Sequence, residues 1–302
     1  MTETSLQPIW QSGPSRRILL ATDLSCRCDR AQDRAALLAE QWGAKLIVLH
    51  VLEGSEPSDL PSWRRSLGTA AEIAERRIRA DLEGRAVDWE VVLERGDPAE
   101  AILRQATERE CGLVVTGLAR DEMFGPVVLG SAVDWLVRRA PMPVLVVKNR
   151  PHRPYTELVV ATDFSEPSRH ALECALGLFP EARLTLFHAY RVPFAGFLGR
   201  EAHQDEFHAT AAAECAAFLS RVQAPPAALA QMRNLIEYGS PDELISTYVR
   251  DRPVDLVVLG TQGRSGLSGF LVGSTAERLL SYLPCDVMMV RGPTPAAAQA
   301  EA

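Results

Sequence analysis

The sequence predicts an α/β protein built as two tandem doubly wound, Rossmann-like domains, each a five-stranded parallel sheet flanked by helices. Three observations carry this. Short apolar runs such as "LIVLH" (46–50) and "LVVLG" (256–260) are apolar on both strand faces, as strands of a parallel sheet covered on both sides must be. These runs alternate with longer helical patterns, the signature of βαβ units. The whole series is then written twice: "RRILLATDLS" answers "TELVVATDFS", "AKLIVLH" answers "ARLTLFH", "LERGDPAEAI" answers "IEYGSPDELI", and "CGLVVTG" answers "VDLVVLG", always in the same order.

In the first copy strands are expected near 17–22, 45–51, 89–94, 112–117 and 143–148, with helices near 27–42, 64–84, 97–109 and 131–140. In the second, strands fall near 157–162, 183–189, 233–237, 254–260 and 286–291, with helices between them. This divides the chain into an N-terminal tail (1–15), a first domain (16–149), a two-proline linker (150–155), a second domain (156–292) and a disordered tail (293–302).

A length of 302 residues suits two such domains, and 47% hydrophobic with 24% charged residues is ordinary for a globular chain. The formal charge of −7 argues against general affinity for nucleic acid or an anionic membrane. No apolar run approaches the roughly 20 residues a membrane helix needs. The N-terminus lacks a basic start followed by an apolar core, so no secretory signal is read there. Six scattered cysteines suggest reduced thiols in a cytoplasmic protein rather than a disulfide framework.

The segment with most chemistry is "GTQGRSGLSGFLVGSTAERLLS" (260–281), which follows a buried strand. Its glycines at 260, 263, 266, 269 and 273 allow positive φ and let backbone approach a ligand, so several N–H groups can converge on an anion. Ser274 and Glu277 read as a capping box at a helix start, whose N–H donors and dipole favour phosphate. Arg264 adds positive charge, and the Ser274 and Thr275 hydroxyls can donate to phosphate oxygens. Asp23 and Asp163 end the first strand of each copy and the glycine loops end the fourth. Each pair therefore converges on the crevice where strand order reverses. Neither a Walker loop nor a dinucleotide fingerprint is present.

The spacing G-2x-G-9x-G-S/T, with "ATDFS" and "LTLFHA", resembles the universal stress protein family in its tandem two-domain form, over about residues 16–292. The resemblance implies strand order 3-2-1-4-5 and an adenine nucleotide, ATP with or without Mg²⁺, as ligand. It implies that Asp163 contacts ribose, that Ala189 meets adenine through its backbone, and that Ala161 and Leu259 line the base pocket. Gly260, Gly263, Gly273, Ser274 and Thr275 would hold the phosphates. A pseudo-twofold contact between the domains, a homodimer and a protein partner are further implications.

The first copy keeps Asp23, Val51, Gly117, Gly130 and Ser131, but Arg120 replaces the second glycine and Asp121 and Glu122 follow it. A side chain then stands where backbone should meet phosphate, which predicts a weak or empty first site unless Arg120 itself binds phosphate. Cys26-x-Cys28 has no second sulfur pair and reads as a helix start rather than a metal or redox site. His50 and His188 read as packed histidines bonded to backbone, and His203 and His208 as solvated. Ser25 and Ser165 read as caps of the following helices. The function expected is a nucleotide-dependent stress sensor or regulator with little or no turnover. The alternatives are a slow ATPase or phosphoryl/adenylyl transferase using the same pocket, and a scaffold without nucleotide.

Overall fold

The computed structural model describes residues 16–26, 28–52, 68–117, 130–190, 204–263 and 272–292. Both tails, Arg120 to Glu122, His203, Arg264, Gly266, Gly269 and positions 64–67 of an expected helix lie outside the described residues. Residues 16–136 with 142–154 form one compact unit, and 137–141 with 155–292 form the other.

The first half runs β1 (Arg17–Thr22), α1 (Asp29–Trp42), β2 (Lys45–Leu52), α2 (Ala70–Leu82), β3 (Trp89–Arg95), α3 (Pro98–Glu108), β4 (Leu113–Gly117), α4 (Ser131–Arg139) and β5 (Val144–Val147). Its strands are parallel, in the order β3-β2-β1-β4-β5. The second half runs β6 (Glu157–Thr162), α5 (Glu166–Leu178), β7 (Arg183–Tyr190), α6 (Gln204–Leu219), α7 (Pro226–Gln231), β8 (Arg233–Tyr238), α8 (Pro241–Asp251), β9 (Leu256–Gly260), α9 (Ser274–Tyr282) and β10 (Asp286–Val290). Its order is the same, β8-β7-β6-β9-β10, again parallel. Every expected strand is present, with ends within two residues of those read from the sequence.

Burial explains why the apolar runs signal strands so plainly. All of β4, β5 and β10 is buried, and β1 and β9 nearly so. The edge strands β3 and β8 are only half-covered. Helix starts follow local chemistry. Thr69 and Glu72 close a capping box on α2, and Asp97 caps α3 with Pro98 at its first position. Among the described residues no helix is long and apolar enough to cross a membrane.

Candidate functional site

In the second half, strand order reverses between β6 and β9, and both strands point their carboxyl ends at the same crevice. The turn that leaves β6 is built by its own side chains. Phe164 adopts a left-handed backbone (φ 63°) and donates its N–H to Thr162 Oγ1 at 2.9 Å. Ser165 donates its N–H to Asp163 Oδ1 at 3.1 Å, which fixes the carboxylate at the strand end. The Phe164 ring stacks on His188 at 4.0 Å between centroids, and His188 Nδ1 lies 2.8 Å from Thr162 O. His50 makes the equivalent contact to Thr22 O at 2.9 Å. Both histidines are therefore backbone-bonded, and the exposed His208 lies on α6.

A cavity of about 290 Å³ opens at this crevice. Ala161, Asp163, Ala189 and Leu259 line it, and Ala161 and Leu259 are register partners on β6 and β9. Gly260, Gly263, Gly273, Ser274 and Thr275 complete the expected set around the same space. Thr162, Ser168, Phe187, Ile245 and Gln262 also line it, and sequence reasoning passed over them. Thr162 carried a usable signal, since it precedes the aspartate in both "TDLS" and "TDFS". Ile245 did not, because α8 reads as an ordinary amphipathic helix.

The glycines act by close approach. None of Gly260, Gly263 and Gly273 lies in the left-handed region, contrary to the expectation of positive φ. A Cβ on Gly263 would sit 2.7 Å from Asp163 Oδ2, so only glycine lets the loop lie against the carboxylate. A Cβ on Gly260 would come within 3.2 Å of Pro167 backbone, so that glycine seats the start of α5. The expected capping box at α9 does not form. The helix begins at Ser274 with Gly273 as N-cap and no side-chain cap, which places Glu277 one position too late to reach back. The N–H groups of the first turn thus face the cavity end without a side-chain cap.

A family model, the universal stress protein family, matches residues 14–148 and again 154–291. The chain belongs to the universal stress protein family. Universal stress protein E of Escherichia coli (strain K12) is 26% identical over 206 residues, covering 64% of this chain and 65% of that protein. Universal stress protein E of Photorhabdus laumondii is 23% identical over 231 residues, covering 68% and 69%. The matches thus span about two thirds of these relatives. Among solved structures, a universal stress protein from Archaeoglobus fulgidus has a TM-score of 0.66 at 19% identity, covering 92% of this chain and 99% of its own. A Pseudomonas aeruginosa PAO1 protein of unknown function has a TM-score of 0.62 at 22% identity, covering 92% and 93%. These likenesses bear on the fold.

The first universal stress protein repeat places its candidates at matching positions. Asp23 follows β1, Val51 lies near the end of β2, Gly117 ends β4, and Gly130 and Ser131 open α4. Leu24 repeats the left-handed turn (φ 59°), with its N–H on Thr22 Oγ1 at 3.0 Å and Ser25 N–H on Asp23 Oδ1 at 2.8 Å. The helix after it differs. Ser165 caps α5, accepting a long 3.4 Å bond from Ser168 N, whereas α1 starts only at Asp29. Ser25 therefore does not cap α1, against expectation, because "CRC" offers no helix-favouring first turn where "EPS" offers Pro167 at the second helical position. Cys28 takes the N-cap place without a side-chain cap. Burial, with the Asp23 carboxylate beside it, pushes the Cys28 thiol up to about 11.

Proposed function

We propose that the second half binds an adenine nucleotide, ATP in the first instance, and acts as a nucleotide-dependent sensor or regulator with little or no turnover. The observation that carries this is one cavity with three chemically distinct walls. Ala161, Phe187, Ile245 and Leu259 make an apolar slot suited to a base, with the Ala189 backbone at its edge. Asp163 stands between slot and helix. An ionised carboxylate only accepts hydrogen bonds, so it suits hydroxyl donors such as a ribose diol. At the far wall the uncapped start of α9 offers N–H donors and the Ser274 and Thr275 hydroxyls to phosphate. Arg264 would add its guanidinium, and Mg²⁺ would enter as the counter-ion of the phosphates.

Binding is favoured over turnover because Asp163 is the one titratable group among the described residues lining the cavity. General acid–base chemistry ordinarily needs a second positioned group. All six cysteines are free, which suits a reduced cytoplasmic setting. The first half is read as a weak or empty site, and a homodimer of chains belongs to the same proposal.

Calorimetric titration with ATP, AMP and cyclic AMP, with phosphate release followed in parallel, tests this reading. It expects one ATP per chain and negligible release. A flat titration would leave a scaffold. Rapid release abolished by Asp163→Ala would make the protein an enzyme.

A further inference from the structure

Ser168 is buried, lines the cavity, and has no counterpart hydroxyl in the first half, where Cys28 stands in its place. Its Oγ donates to Ser165 O at 2.9 Å. With that proton committed, the Thr162 hydroxyl donates to Ser168 Oγ at 2.8 Å, while Thr162 Oγ1 accepts the Phe164 N–H. A continuous relay thus runs from the left-handed residue through two hydroxyls to the first turn of α5. Pro167, one residue before Ser168, is wedged against Gly260 at the end of β9. The relay therefore ties the Asp163 turn to the helix that also fixes the glycine loop. Tolerance at that junction is small, since Asp163 Oδ2 lies 2.7 Å from where a Gly263 Cβ would be.

The first half shows the same turn with a thiol in place of the second hydroxyl. Leu24, Thr22 and Ser25 reproduce the turn, but α1 starts three residues later than its counterpart, after Cys28 N–H donates to Ser25 O at 2.9 Å. The Cys28 thiol lies against both Asp23 and the Thr22 hydroxyl. A thiol is a weak donor and a weak acceptor, so it does not replace the two-way relay of a buried hydroxyl.

We propose that Ser168 is the positioning residue of this pocket: through Thr162 it fastens the Asp163 turn to α5, so that the carboxylate meets the ligand's hydroxyl donors, and Cys28 leaves the first half only a weaker, thiol version of that fastening. This rests on the nucleotide reading above and names how the site tells a ribose from a sugar lacking its hydroxyls. Left-handed backbone at a bulky residue is costly and persists where its surroundings over-determine it. Here two buried hydroxyls and the His188 stack supply that determination.

The test compares binding of ATP and 2′,3′-dideoxy-ATP by the full-length protein and by Ser168→Cys, Thr162→Val and Thr162→Ser, with thermal melts alongside. The wild type is expected to prefer ATP by about ten- to a hundredfold, the value of a charge-assisted hydrogen bond. Ser168→Cys and Thr162→Val break the relay at opposite ends. Each should bring ATP down to the affinity of the dideoxy analogue and leave that analogue's affinity within about threefold. Thr162→Ser keeps the hydroxyl and should keep the preference, a rescue that lost stability alone does not predict. Wild-type preference retained in both relay variants, or equal weakening of both nucleotides, overturns the role of Ser168 and leaves the nucleotide reading standing. A wild type that binds both nucleotides equally also overturns it. A wild type that takes up neither removes the nucleotide reading and this inference together.

Discussion

Gly263 shows how one residue can be required without any unusual backbone angle. Its φ is ordinary, yet a methyl group there would collide with the Asp163 carboxylate. Gly263→Ala is therefore expected to displace Asp163, a side chain with some freedom, rather than the backbone. ATP affinity should fall about tenfold, a loss of about 1.4 kcal/mol, while the melting temperature moves by only a few degrees. Calorimetry and a thermal melt on the same sample check both halves of that statement. The sequence singles out Gly263 as a place for backbone to approach a phosphate, whereas the atom a side chain there would meet is Asp163 Oδ2. Spacing reveals that a side chain is unwelcome; which atom excludes it depends on Asp163, a hundred residues away in the chain. Gly260 makes the same point, since its neighbour is Pro167 and its glycine serves helix packing. Among the described loop glycines none has a positive φ, whereas Leu24 and Phe164 at the strand ends do. Nothing in the residue types at those positions announces a left-handed angle, because the hydroxyls of Thr22 and Thr162 impose it.

At the scale of an element, α9 carries the clearest consequence. Its N-cap is Gly273, so among the described residues no side chain caps its first-turn N–H groups. Ser274→Asp would place a carboxylate there. It should stabilise the helix by about 0.3–1 kcal/mol and, by like-charge repulsion, abolish phosphate binding. Urea denaturation and ATP titration of the variant should thus move in opposite directions. A rise or fall in both would show that the helix start does not face the ligand. The pattern S-x-x-E suggested a cap because residue types satisfy it; the helix begins one residue too early for the geometry to follow. The strands were far more legible. Runs apolar at every position fit only a sheet covered on both faces, and burial of β4, β9 and β10 explains that agreement. The start of α1 was less so, because Cys28 rather than Ser25 precedes its first turn.

For the whole molecule, duplication has preserved the scaffold more faithfully than the site. Both halves keep the strand order, the aspartate turn and the backbone-bonded histidine. They part at Cys28 against Ser168 and in where the following helix starts, Asp29 against Glu166. Thiol burial also sets a property of the entire chain. Burial pushes Cys111 up to about 11 and Cys174 up to about 12, from an ordinary 9.0. The folded state then holds protons that the unfolded state releases, so stability is complete below about pH 9 and declines as pH rises toward 11–12. Urea midpoints should be level from pH 7 to about 8.5 and fall above 9. Cys174→Ala should flatten that slope by up to about 1.4 kcal/mol per pH unit.

The most direct test of nucleotide binding in the second half is to denature the purified protein and to identify and count what it releases by chromatography and mass spectrometry. Gly263→Arg, which copies the first half's Arg120 into the second, is treated identically. About one ATP per chain from the wild type, and none from the variant, is the predicted result. No nucleotide from either, with no uptake when ATP is added, would contradict it and leave the glycine loop as architecture.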